Sequence, residues 1–309
     1  MSLIEPPSDF DPHTLAEFIE AELVFSEDDY YSLTEIRNLF PFGNQPSDDE
    51  LAFLFGEIER RSLQFGSKYP FLVDDRGILI VDNPMDPLYK VLLLLSLKGT
   101  PMRTRGEYAR SDELFDAISR EAFKAEQGPN AQAISFGWPP RGDRPAKFDA
   151  AVEWAASAMD IETRGTWIPD HLRDGGVDVI VWRPFPDRRT GFQVTLVQNT
   201  VQLSFSKKPY DVRPHNWFLW WKVGTPPQVG FAVPFALPQP DIWWEVVAEA
   251  ATVVMDRGRI MASLQDTDPS RWLEWSLIED FVESEVAEVR SAGYFSPSSS
   301  LSVGPRRRK

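Results

Sequence analysis

The spacing of apolar residues predicts that the chain begins with helices. Leu15, Phe18, Ile19 and Leu23 recur at three- and four-residue intervals, a helical period over Pro12–Val24. A short second helix over Leu33–Phe40 can be capped by Ser32 or Thr34. Ser47 heads a third, from Asp48 to about Leu63, with the stripe Leu51, Leu54, Phe55 and Ile58. Its first-turn acids, Asp48, Asp49 and Glu50, complement the helix dipole. The period then changes. Tyr69–Val73 and Ile78–Val81, joined by Asp74-Asp75-Arg76-Gly77, read as a β-hairpin. Three helices and a hairpin predict a helical, winged-helix-like unit over residues 1–100. An apolar helix, Leu88–Leu97, follows Pro84 and Pro87, and Lys98-Gly99-Thr100-Pro101 marks a boundary.

A second unit is expected over 101–294. Ser111 caps a helix carrying Leu114, Ile118 and Phe123; a Pro/Gly-rich stretch, Gly137–Pro145, separates it from a helix over Phe148–Met159. Asp174–Thr200 reads as two apolar strands around a turn at Pro184–Gly191, and Gln228–Pro234 as another strand. Ile242 to about Met255 reads as a long helix, the chain continues helically after Asp256–Arg259, and Pro269–Ala292 forms the last helix. The class is α/β, with a mixed sheet flanked by helices. Trp217, Trp220 and Trp221, and the pair Trp272 and Trp275, read as core, because large aromatics mostly bury. Residues 295–309, ending Arg306-Arg307-Arg308-Lys309, read as a disordered basic tail.

Composition narrows the function classes. The chain has no cysteine, which excludes thiolate zinc sites, and with only His13, His171 and His215 a histidine-rich metal site is not expected. Its longest strongly apolar run, Val91–Leu97, falls far short of the roughly 20 residues a bilayer span needs, and no secretory signal is visible. A cytoplasmic protein without membrane contact is expected. A net charge of −15 argues against tight nonspecific DNA binding and suits other protein subunits as partners. The third helix sets Arg60 and Arg61 against Asp48, Asp49, Glu50, Glu57 and Glu59, so the first unit reads as a protein-interaction module rather than a DNA reader.

The chemistry concentrates on the hairpin. Asp178 follows Gly176 at the start of the first strand, and Gln198 stands near the end of the second. A hairpin brings such positions together, and an acid beside an amide oxygen can hold Mg2+. Gly176-Val177-Asp178, a turn, and a strand ending Gln198-Asn199-Thr200 resemble the PD-(D/E)XK nuclease superfamily, especially Mrr-type restriction endonucleases. That family's signature is Gly-x-Asp on one strand and Gln-x-Lys or Glu-x-Lys on the next; here Thr200 stands at the lysine position. The likeness covers roughly residues 105–292.

The resemblance implies a restriction-endonuclease-like mixed sheet and Mg2+-dependent hydrolysis of DNA, in a bacterial restriction or antiphage defence system. Asp178 and Gln198 would be metal ligands, with Glu153 on the Phe148–Met159 helix assisting. Lys207 or Lys208 would substitute for the absent lysine, provided the second strand ends before Ser206. Arg183, Arg188 and Arg189, around the turn, are candidate DNA contacts. The alternative is a catalytically inactive nuclease-fold scaffold for a multiprotein complex, which Thr200, the acidic balance and the aromatic clusters favour. Both readings require Asp178 and Gln198 to converge on one cation.

Overall fold

The structure, a computed structural model, describes residues 2–26, 28–81, 85–97, 111–237, 250 and 252–292. The break at 98–101, the start of the helix expected from Ile242 and the tail 295–309 lie outside these residues.

The first hundred residues form helices α1 (Pro12–Phe25), α2 (Leu33–Asn38), α3 (Asp48–Phe65) and α4 (Pro87–Ser96), and strands β1 (Tyr30–Ser32), β2 (Phe71–Val73) and β3 (Gly77–Ile80). Local chemistry sets the helix starts. Asp11 caps α1 ahead of Pro12, and complete capping boxes, Ser32 with Glu35 and Ser47 with Glu50, open α2 and α3. The strands make a small antiparallel sheet ordered β1-β3-β2, so the expected hairpin gains a third strand.

The remainder builds a five-stranded mixed sheet ordered β4-β5-β6-β7-β8: Gln132–Ser135, Val179–Trp182, Val194–Asn199, Gln228–Ala232 and Thr252–Met255. β4, β5 and β6 are antiparallel neighbours, whereas β6, β7 and β8 run parallel. Thr252–Met255 is an edge strand, not the end of a helix. Its Thr-Val-Val-Met sequence suits a pleated surface, and β7 offers an open parallel edge.

Strand alternation divides the apolar residues between two layers. Val179, Val181 and Val197 face α5 (Ser111–Gln127), while Ile180, Trp182, Val194 and Leu196 face α6 (Phe148–Ala158) and α7 (Pro214–Trp220). The buried tryptophans Trp217, Trp220 and Trp221 fill that second layer, as large aromatics should.

The first layer does not stop at residue 100. It is continuous with α1, α3 and α4, and with α8 (Arg257–Ser263) and α9 (Trp275–Ala292). At its centre two fully buried arginines, Arg61 on α3 and Arg257 on α8, share the carboxylates of Glu17 and Glu20 at 2.6–3.0 Å. Tyr69, Tyr89 and Ser96 complete the hydrogen bonding. Arg61 is therefore consumed inside the molecule, and the outer surface of α3 carries Asp48, Asp49 and Glu59 with the exposed Phe53 and Leu63.

Candidate functional site

β6 ends at Asn199, and the chain past it turns back instead of running on. Phe205 anchors the return by packing on Phe231 and Phe235, with ring centroids 6.1 and 5.2 Å away. A 3-10 turn over Lys208–Asp211 then passes close to Gly176, whose φ is +77°. A β-carbon at Gly176 would stand 2.8 Å from the Asp211 carbonyl carbon. The glycine of Gly-x-Asp thus has two physical reasons, a left-handed backbone and the close approach of the segment carrying Lys208.

The outcome is a cleft of about 800 Å³ whose walls include Asp112, Asp116, Trp138, Arg141, Asp178, Asn199, Thr200 and Lys208. Asp178 precedes β5. Its amide donates to Val197 O at 2.8 Å, its carbonyl accepts from the amides of Phe136 and Gly137, and its Oδ2 accepts from Asn199 N at 2.7 Å. Asp116, on α5, accepts from Asn199 Nδ2 at 2.8 Å and from Arg141 Nη1 at 3.2 Å. Gly137 leaves room between the two acids: a β-carbon there would lie 3.1 Å from Asp178 Oδ1 and 3.6 Å from Asp116 Oδ2.

Both acids are shifted toward their protonated forms. Burial pushes the Asp116 carboxyl up to about 7, against the pull of Asn199 and Arg141. Burial, followed by the neighbouring Asp116, raises Asp178 well above the carboxylate range. Buried like charges that cannot both ionise invite a proton or a cation between them. Asn199 Oδ1 is buried beside them without a hydrogen-bond partner. Two carboxylates and an amide oxygen are donors of the chemical kind Mg2+ takes, since it is bound through one or two carboxylates plus substrate phosphate. Among the described residues, no group of three or more His, Asp or Glu side chains stands ready to hold a metal alone.

The structure sorts the residues singled out from sequence. Asp178 and Lys208 share the cleft, and the condition set for Lys208, that β6 end before Ser206, is met. Lys207 is exposed and outside the cleft. Gln198 does not join Asp178 on a common cation. It shares the α6 face of β6 with Leu196, and its Nε2 lies 3.4 Å from Asp211 Oδ2. The two-residue period of a strand puts its neighbour Asn199 on the other face, toward α5. Glu153 is exposed on the outside of α6, away from the cleft. Asp116, from the helix before β4, stands where an assisting acid was sought.

Arg183, Arg188 and Arg189 are misplaced for the role expected of them. In an antiparallel hairpin the start of one strand meets the end of the other, so the turn lies at the far end, roughly 16 Å from Asp178 at about 3.3 Å per residue. Arg183 donates to Gln127 O and Arg189 pairs with Asp187 in that turn.

Three residues of the cleft are absent from the site read in the sequence. Asp116 interrupts the buried stripe Phe115, Ile118, Ala122 and Phe123, and a carboxylate on the apolar side of an amphipathic helix is the signal that marks it. Asn199 was legible from the alternation Thr195, Val197, Asn199. Arg141 sits in an irregular segment with no periodic signal.

No protein-family model, curated protein or solved structure matches the chain. Among the described residues no helix is long and apolar enough to cross a membrane.

Proposed function

We propose that this protein is a metal-dependent DNA endonuclease of the kind found in bacterial restriction or antiphage defence, with its active site in the cleft between α5 and the ends of β5 and β6. The convergence of Asp178 with Gln198 that the sequence reading required does not occur, so that pair no longer supports the proposal, and a different observation carries it. Two carboxylates raised by burial, Asp116 and Asp178, line one accessible cleft with Asn199 and Lys208, and the Asn199 amide oxygen is buried without a hydrogen-bond partner. Asp116, Asp178 and Asn199 would hold the metal. A bound Mg2+ would supply charge neutralisation at the phosphate and a more acidic water. Lys208 forms no ion pair with the described acids, so its charge is available to a substrate oxygen. Arg141, paired with Asp116, sets the orientation of that carboxylate. The order α5-β4-α6-β5-β6-α7-β7-β8 around a mixed sheet supports a nuclease-like fold, and the order α1-β1-α2-α3-β2-β3 supports a winged-helix shape for the first unit.

The second reading, an inactive nuclease-fold scaffold, is favoured by a separate observation. The outer side of α3 exposes Phe53 (64%) and Leu63 (88%) among acids, a surface suited to protein and unsuited to phosphate. Nicking of supercoiled plasmid in Mg2+ or Mn2+ separates the two. The endonuclease reading expects cleavage that Asp178→Ala and Asp116→Ala abolish. Lys208→Ala should slow it about 100- to 1000-fold, the usual cost of losing one electrostatic stabiliser. Plasmid left intact under both metals would leave the scaffold.

A further inference from the structure

The cleft also indicates what kind of strand it takes. Trp138 directly follows Gly137, the residue pressed against Asp178, and its side chain forms part of the cleft wall while remaining 42% exposed. The buried tryptophans behave differently: Trp217 and Trp220 pack edge-on with each other, and Trp220 with Phe148. Leu203, 55% exposed, adds a second apolar surface to the same cleft. Trp167 is more exposed, at 77%, but lies outside the cleft, so what distinguishes Trp138 is an open aromatic face placed beside the acids, where a ligand can cover it.

The electrostatics point the same way. Duplex binding draws its affinity from many phosphate contacts made by basic side chains. Among the described residues, Arg141 and Lys208 are the cationic residues of this cleft, against Asp112, Asp116 and Asp178, and the chain carries −15 overall. Its volume, about 800 Å³, is that of a small-ligand pocket, commonly about 300–1,000 Å³, rather than a groove for a double helix. Affinity must come from a contact that charge does not supply, and stacking of an unpaired base on an aromatic face is one.

Building on the endonuclease reading, we infer that the substrate is DNA whose base beside the scissile phosphate is unpaired, and that Trp138 is the platform on which that base stacks. The attacked site is then a single strand, a flap or a splayed end, and Trp138 is a specificity-determining residue.

The test uses the full chain in Ca2+, which allows binding to be read separately from cleavage, and a dye-labelled oligonucleotide followed by anisotropy as a single strand and as its duplex. The wild-type chain should bind the single strand more tightly. Trp138→Ala should weaken that binding by about tenfold or more, the scale of one lost base–aromatic stack. Trp138→Phe should keep most of it, and duplex binding should not move. Equal affinity for both forms, or single-strand binding indifferent to Trp138→Ala, overturns the inference. Cleavage in Mg2+ is scored in parallel. Asp178-dependent cleavage of duplex and single strand alike, unaffected at Trp138, removes this inference and leaves the endonuclease reading standing. Trp138-dependent binding of single strands without any cleavage removes the endonuclease reading and leaves Trp138 as the platform of a binding cleft.

Discussion

At the scale of single residues, the cleft is a charge problem solved by proximity. Asp116 and Asp178 are held with their protonated forms favoured, so the fold resists ionisation that the unfolded chain would accept freely. The sign follows from linkage. An acid whose folded-state value is raised contributes full stability below its unfolded value, about 4, and loses it as pH climbs through the folded value, about 7 for Asp116. In a chelator, the melting temperature should therefore decline between about pH 4 and pH 8, and Asp116→Asn should flatten that decline, because the amide never ionises. Adding Mg2+ should recover stability chiefly at the high-pH end, with protons released on binding. Calorimetric melting across pH, with and without the ion, decides it; identical slopes for the wild-type chain and Asp116→Asn would remove Asp116 from the acid pair. Asp178 was legible in the sequence because a glycine two positions earlier and an apolar strand frame it. Gln198 misled because proximity of backbones in a hairpin does not decide which face a side chain takes.

At the scale of elements, turns position the chemistry. The 3-10 turn over Lys208–Asp211 reaches the cleft only because Gly176 lets it pass, and Phe205 pins the approach. Gly176→Ala adds a β-carbon where φ is +77° and where Asp211 backbone atoms stand at 2.8–3.0 Å. Gly142 offers a control: its φ is +55°, but open space surrounds it. Both variants should lose roughly 1–2 kcal/mol from left-handed strain alone. Gly176→Ala should lose more, and should also lose nicking activity, since it moves the segment bearing Lys208. Denaturant titration and plasmid cleavage of both variants provide the comparison, and equal losses would detach Gly176 from the site. Helices with caps and regular stripes, α1 and α3 above all, were readable in advance. β1, β4 and α7 were not, being short pieces whose identity comes from sheet pairing and from the tryptophan layer. Thr252–Met255 was assigned to a helix because its apolar run has no period of its own, and only pairing with β7 makes it a strand.

At the scale of the whole molecule, the division at residue 100 follows the sequence but not the core. Arg257 on α8 pairs with Glu17 and Glu20 on α1, while Arg61 on α3 pairs with the same carboxylates. Burial favours the neutral form of Glu17, yet Arg257 and Arg61 hold it down at about 2, so it stays ionised in the interior. Removing one member of such a cluster leaves its partners charged and uncompensated, typically a loss of 3–5 kcal/mol. Arg257→Met should therefore destabilise the chain by about that amount, and urea unfolding should remain a single transition seen alike by tryptophan fluorescence and circular dichroism. Two separated transitions would mean that the ends of the chain fold independently. This connectivity was invisible in sequence, since Glu17 and Arg257 are 240 positions apart and each reads as an ordinary surface charge.

The shared carboxylates also constrain how this protein can be taken apart. A polypeptide stopping before Arg257 would carry Glu17 and Glu20 into hydrocarbon with half their counter-charge missing, and one beginning after residue 100 would strand the guanidinium of Arg257. Fusion partners, truncations and transplanted modules must therefore respect a seam inside the molecule that no linker marks.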